Sequence, residues 1–580
     1  MRTSMNGVAG TRVARLPQPA RQRTSPLARA RAAWNALRSP RFVVVVLSVW
    51  LTMIANLALW RELGRIEPGA RGLLIGLVVA AVLVGLTTSA LSLTAWSRWM
   101  KPVWLAVALA AAVSQHYMLG YGVVIDATML ANVFATDLGE AADLFTGPLL
   151  GNVALVVGPV AFWLVPLRVT REPAARAATR ALLLGCIALI AAVGGVAASY
   201  SVLAPLVRNH MHLRYLPNPA TPFVSLGKLA MKPLLQRRRA LVPISAGAAL
   251  GPSYAAGGKP PLLIVVVGET ARADHFGLNG YGRNTTPELA AAGVLSFRNV
   301  WSCGTNTLAS VPCMFSSLGK ARFGSRDAEH ENLLDVLQAA GLAVLWVDNQ
   351  AGCKGVCDRV PSASTADLSG TPSAAGICKD GECLDEALLV GLDARIAALP
   401  AERLRRGVVV VMHQMGSHGP AYGRRSPASS KRFQPECGHA TLGDCAPGEL
   451  ANVYDNTIAY TDHVLAGTIG WLRAQSGTFA PGMLYVSDHG ESLGEYGVFL
   501  HGLPYAIAPD AQKRVPLIAW LGDDLAARQG IDRRCLAGRL DQPLSHDHLY
   551  HSVLRLMDVT TPTFDPALDL WSACKRRLDS

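Results

Sequence analysis

The sequence predicts two unlike parts: an N-terminal membrane domain of five spanning helices, then a C-terminal α/β domain whose mostly parallel sheet is covered by helices. Three observations predict it. Of 580 residues, 51% are hydrophobic and 16% charged, with a mean hydropathy of +0.27, yet the runs long enough to cross a bilayer all lie before position 202. From position 262 onward, short apolar runs alternate with helical stretches, the order of a sheet sandwiched between helices. All the cysteines except Cys186 lie beyond position 300, as expected of one domain in an oxidising compartment.

Residues 1–41 carry many arginines and no Asp or Glu, and read as a basic, disordered cytoplasmic arm or a targeting segment. Five apolar segments follow, at 42–60, 73–96, 103–125, 147–167 and 181–201. Flanking charge orients them. The arm, the connection with Arg98 and Lys101, and the connection with Arg168, Arg171, Arg176 and Arg180 belong on the cytoplasmic side. The connection with Asp126, Asp137, Glu140 and Asp143 belongs outside, whereas the first connection (61–71) is mixed. An odd number of spans then places everything after a bridging segment, 202–260, on the outer side, with a soluble domain at 261–580. The cysteines of that domain form close pairs: Cys303 with Cys313, Cys353 with Cys357, Cys378 with Cys383, Cys437 with Cys445. They read as disulfides because no zinc-knuckle spacing is present. Cys535 and Cys574 remain, far apart, their pairing open.

In the soluble domain, strands are expected at 262–268, 342–348, 407–413, 483–488 and 515–520, and helices at 331–341 and 450–475. Ligands of such sheets bind beyond the carboxyl ends of the strands. There the sequence puts Glu269 and Thr270, Asp348 and Asn349, His413 with His418, Asp488 and His489 followed by Glu491, and then His501. Each alone is an ordinary turn or cap residue. Recurring at successive strand ends, carboxylates and imidazoles suit a divalent metal such as zinc. In SCGTNTLASVPCMFSSLGK (302–320) a helix is expected to begin near Thr307, offering free N–H groups to a phosphate. A metal would favour the threonine alkoxide; the plain alternative is that Thr305, Asn306 and Thr307 cap the helix.

GETARADHFGLNGYGRNTTP (268–287), SCGTNTLASVPCMFS (302–316), WVDNQAGCKGVCDRVP (346–361), HQMGSHGPAY (413–422) and SDHGESLGEYGVFLHG (487–502) together resemble the lipid A phosphoethanolamine transferases, which include the mobile colistin-resistance enzymes. The resemblance implies an alkaline phosphatase/sulfatase-type catalytic domain. It implies that Thr307 is the catalytic residue that accepts phosphoethanolamine covalently, and that Glu269, Thr307, Asp488 and His489 hold one zinc ion. His418 and His501 would take a second zinc or the substrate phosphate, and Lys354 and Gln350 lie in a substrate-contacting stretch. Asn132, Thr136 and Glu140, spaced by four on one helical face, would help to bind the lipid donor; read alone they fit an interfacial amphipathic helix.

The resemblance further implies transfer from phosphatidylethanolamine to a lipid A phosphate, lowering surface negative charge and giving polymyxin resistance. The setting would be the bacterial inner membrane and its lipids, the protein a monomer with a cytoplasmic N-terminus and a periplasmic catalytic domain. Core heptose as acceptor, or phosphatidylglycerol as donor, stays open. A sulfatase is disfavoured because Ser310-Val311-Pro312-Cys313-Met314 carries Met where sulfatase maturation needs Arg. The net charge of +13 suits an anionic membrane surface, and no nucleic-acid motif accompanies it.

Overall fold

The computed structural model describes residues 37–97, 99–135, 141–142, 144–170, 172–235, 241–379, 382–439 and 441–575. Thr136 and Glu140, Arg98, Arg171, Asp137, Asp143 and nearly all of the N-terminal arm lie outside them.

Among the described residues, four helices are long and apolar enough to cross a membrane: α3 (Ala70–Ser92), α4 (Met100–Tyr121), α6 (Gly147–Leu164) and α7 (Ala174–Ala198). The first expected span corrects to a bent pair, α1 (Pro40–Ile54) and α2 (Leu57–Ile66), meeting at 54°, and counts as a fifth span when taken as one. The break falls at Asn56, whose amide finds a distant partner. Asn56 Nδ2 donates to the Asn218 carbonyl at 2.5 Å, and Asn56 Oδ1 accepts the Asn218 N–H at 2.7 Å. In a membrane bundle such a buried amide pair is satisfied within the protein, because lipid offers no partner. Close packing of α3 on α7 depends on Gly85, where a Cβ would come within 2.9 Å of the Ala188 carbonyl oxygen. Between α4 and α6 a short helix, α5 (Ala127–Ala135), carries Asn132, and after α7 come α8 (Tyr200–Asn209) and α9 (Ala220–Leu235).

The C-terminal domain is built on an eight-stranded sheet. In chain order its strands are β1 (Pro261–Gly268), β2 (Leu295–Trp301), β3 (Ala343–Asp348), β4 (Ser362–Ser364), β5 (Val408–His413), β6 (Ala480–Ser487), β7 (Arg514–Leu521) and β8 (Leu544–Ser545). Their spatial order is β8-β2-β7-β6-β1-β5-β3-β4. All neighbours are parallel except that β7 runs antiparallel to both β2 and β6. The five expected strands are present within a few residues. β2, β4 and β8 are additions: β2 mixes buried and half-buried residues without a regular alternation, and the other two are two or three residues long.

β1 shows why the apolar runs are continuous. Leu263, Val265 and Val267 belong to the core on one face of the sheet, and Leu262, Ile264 and Val266 to the core on the other. Helices α10 (Thr307–Met314), α11 (Leu333–Ala339), α12 (Pro447–Ala474) and α13 (Asp547–Leu556) cover it. The two domains share apolar cores: Leu59 and Leu63 of α2 cluster with Leu206, Leu213, Leu503 and Ala508. The chain just after His501 is thereby seated on the membrane domain.

Candidate active site

Because β1, β5 and β6 are adjacent and parallel, their carboxyl ends share one rim. Glu269 follows β1, His413 ends β5, and Asp488 and His489 follow β6. All four side chains are fully buried. The loop after β5 folds tightly over Glu269: Gly416 adopts φ +54°, and a Cβ there would lie 2.7 Å from the Glu269 carbonyl oxygen. Asp385 fixes that loop by accepting the N–H groups of Met415 (2.8 Å) and Gly416 (2.9 Å). Thr270, β-branched and at φ +52°, is strained next to Glu269. Its N–H donates to Asp488 Oδ1 at 3.3 Å, and the Tyr454 hydroxyl donates to its carbonyl at 2.7 Å.

Glu269, Asp488 and His489 place one ligand atom each within 4.8 Å of the others. His489 Nε2 is 3.3 Å from Glu269 Oε1 and 3.2 Å from Asp488 Oδ2. Among the described residues none of these three buried atoms has a hydrogen-bond partner, a condition buried polar atoms rarely tolerate. His489 Nδ1 donates to the Gly490 carbonyl at 2.9 Å, which leaves Nε2 as the ligating nitrogen. Two carboxylates and one oriented imidazole fit a divalent cation such as zinc. The electrostatics agree. Burial, then the Glu269 charge, pushes Asp488 up to about 7. Burial alone would raise Glu269, but His489 outweighs it and holds the carboxyl below the ordinary range. Burial opposes a charge on His489, yet Asp488 and Glu269 push it up to about 10. The two buried carboxylates thus favour a positive charge on the imidazole beside them, as they would favour a metal cation.

Thr307 opens α10. Asn306 caps the helix by accepting the Ala309 N–H at 3.0 Å, which separates the roles the sequence left open: Asn306 caps, and the Thr307 hydroxyl is free to donate to Glu269 Oε2 at 3.1 Å. The Cys303–Cys313 disulfide joins the preceding loop to the far end of α10. The other three close pairs and Cys535–Cys574 are also bonded, leaving Cys186 as the free cysteine.

His501 lies beside His489 with the rings tilted by 43° and their centroids 4.4 Å apart, and His418 stands edge-on to His501 at 5.4 Å. Glu491 orients His501 through Nδ1 at 2.8 Å and accepts the Tyr422 hydroxyl at 2.5 Å. Burial pushes His418 down to about 3, and among the described residues its Nδ1 has no partner. Lys354, at φ +51°, lines a cavity of about 810 Å³ together with Leu308 and Ala309 of α10 and Ala127, Thr128 and Ala131 of α5. Its ammonium donates to the Ala351 carbonyl at 2.8 Å. The Gln350 side chain accepts the Ala351 N–H at 2.9 Å, turning into its own loop. The helix with Asn132 packs on the helix with Thr307.

Motif reading gave Asp385 and Tyr422 no role, and placed His413, Asp348 and Glu491 only in the general set of strand-end carboxylates and imidazoles. His413 is buried with neither ring nitrogen hydrogen-bonded among the described residues, its Nδ1 3.5 Å from Asp348 Oδ1. For His413 and Asp348 the signal was their position at strand ends; Asp385, opening a single 3-10 turn (Asp385–Leu388) outside every motif, gave none.

Known proteins share this architecture. Residues 83–234 match the family model described as phosphoethanolamine transferase EptA/EptB, and residues 261–559 match the sulfatase model. The chain is 36% identical to phosphoethanolamine transferase EptA of Salmonella typhimurium, covering 92% of this chain and 96% of that protein. It is 37% identical to phosphatidylethanolamine transferase Mcr-1 of Escherichia coli, covering 90% and 95%. The solved integral membrane lipooligosaccharide phosphoethanolamine transferase A of Neisseria meningitidis superposes with a TM-score of 0.85 at 31% identity, covering 92% of this chain and 98% of that one.

Proposed function

The chain belongs to the phosphoethanolamine transferase family, and from that premise we propose that it carries phosphoethanolamine from phosphatidylethanolamine to a phosphate of lipid A through a covalent intermediate on Thr307. One observation carries the reading: the Thr307 hydroxyl donates to Glu269 at the edge of three buried, unpartnered ligand atoms.

In the first half-reaction Thr307 Oγ1 bonds to the donor phosphorus, the bond from phosphorus to the diacylglycerol oxygen breaks, and diacylglycerol leaves with the hydroxyl proton. In the second, an oxygen of the monoanionic acceptor phosphate bonds to the same phosphorus, the bond from phosphorus to Thr307 Oγ1 breaks, and the acceptor's own proton passes to Thr307 Oγ1. Glu269, Asp488, His489 and Thr307 Oγ1 would hold zinc, which supplies a Lewis acid and favours the alkoxide. Glu269 aims the hydroxyl, and the first N–H groups of α10 face the phosphoryl oxygens. His418 and His501 hold the substrate phosphate or a second zinc, with Glu491 fixing the His501 ring. Lys354 and the α5 face with Asn132 border the lipid's path, and Gln350 shapes the Lys354 loop.

The membrane helices anchor the enzyme in the bacterial inner membrane with the N-terminus cytoplasmic, and residues 261–580 work in the periplasm as a monomer. Five disulfides in that domain support the compartment. Lipid A so decorated carries less negative charge and binds cationic polymyxins less well.

Intact-lipid mass spectrometry tests the whole reading. Cells expressing the wild type should gain a phosphoethanolamine mass on lipid A, and cells expressing Thr307→Ala should not. Lipid A unchanged with the wild type in the membrane would overturn the acceptor and direct analysis to core sugars and to a phosphoglycerol donor.

A further inference from the structure

His546 lies between β8 and α13 and is 1% exposed. Its Nδ1 accepts the Cys303 N–H at 3.1 Å, and its Nε2 donates to the Ser487 carbonyl at 2.9 Å. Its own N–H is held by the Trp301 carbonyl at 3.0 Å. Cys303 begins the loop that delivers Thr307 and is bonded to Cys313 at the far end of α10. Ser487 is the residue before Asp488 and His489. One imidazole therefore bridges the nucleophile loop and the strand that presents two of the three clustered ligands.

The two bonds require one form of the ring. Nδ1 must offer a lone pair to an N–H, and Nε2 must carry the proton it gives to a carbonyl. The loop has other anchors: the Ser302 N–H donates to the Lys513 carbonyl at 2.8 Å, and Thr305 Oγ1 donates to the Leu503 carbonyl at 2.6 Å. Those tie it to the residue just before β7 and to the chain after His501, whereas His546 ties it to β6.

We propose that His546 is a positioning residue that sets the distance between Thr307 and the Glu269–Asp488–His489 cluster by bridging Cys303 to Ser487. The inference rests on the reading of Thr307 as nucleophile. A misplacement of about 1 Å in such a site costs about 100-fold in rate, so a rigid neutral ring spanning the two segments acts on turnover rather than on substrate binding.

The test uses the full-length, zinc-loaded protein in detergent, with fluorescent phosphatidylethanolamine as donor and released diacylglycerol as readout. His546→Asn keeps an acceptor for Cys303 but falls short of Ser487. His546→Gln keeps a donor for Ser487 but leaves the Cys303 N–H unmet. Each should lower kcat about 10- to 100-fold with KM within about 2-fold, while Tm and zinc content stay near the wild type. Wild-type kcat in both, a raised KM at unchanged kcat, a rate loss matching the loss of folded protein, or failure of both variants to fold would each overturn the positioning role. Thr307→Ala runs beside them. Full turnover there would sink the nucleophile reading, whereas an inactive Thr307→Ala beside two fully active His546 variants would sink this inference alone.

Discussion

The two domains handle apolar residues in opposite ways. In the membrane domain Leu73, Phe162 and Ile190 are 67%, 86% and 71% exposed, turned toward lipid. In the α/β domain every residue of β1 is buried, and what the end of that strand withholds from water is charge. The difference teaches what each part requires of its polar groups. A bundle in lipid closes its amides on one another, as Asn56 does on Asn218. A catalytic rim leaves some buried polar atoms unpaired, so that a cation and a substrate complete them.

The comparison breaks most sharply at Thr307. Thr307→Ala should cut transfer by at least about 10³-fold while leaving the melting temperature nearly unchanged, measured as lipid A modification beside a thermal scan. Chelation should come next, abolishing transfer and lowering Tm. Its pH dependence has a definite sign. Asp488, raised from 3.8 to about 7 in the metal-free site, holds its proton more tightly folded than unfolded. Its contribution is complete below about pH 4 and is lost as pH rises through about 7. Zinc competes with that proton, so the Tm gained on adding zinc should be larger at about pH 8 than at about pH 5.

Disulfides separate stability from chemistry within the catalytic domain. The Cys535–Cys574 bond closes 39 residues and the Cys303–Cys313 bond 10. Loop entropy predicts losses of about 4 and about 3 kcal/mol when each is replaced by serines. The shorter one should nonetheless cost more activity per unit of stability, since it holds the Thr307 loop; chemical denaturation with turnover on the same samples checks this. Glu491→Gln should lower activity about 10-fold by loosening His501, with Tyr422→Phe, which retains the carboxylate, milder. Smallest is the membrane counterpart. Asn56→Leu should cost about 1 kcal/mol, read as a lower Tm in detergent with turnover by the folded fraction retained.

The sequence by itself determined the two-part plan, the five central strands and the rim that carries Glu269, His413, Asp488 and His489. A parallel strand buried on both faces is a continuous apolar run, and the polar residue that ends the run must stand at the carboxyl edge. It also determined four cysteine pairs, because their partners are neighbours along the chain. Tertiary structure decided the rest. The bend at Asn56 depends on an asparagine 162 residues away. β2 took its place although four of its seven residues are only half-buried, because β7 and β8 pair with it. Asp385 acquired its task from a loop 30 residues downstream, and His546 from two segments that meet only once the sheet is assembled. Hydrophobic periodicity is local and survives in the one-dimensional string, whereas a hydrogen bond between distant residues exists only after the chain has folded.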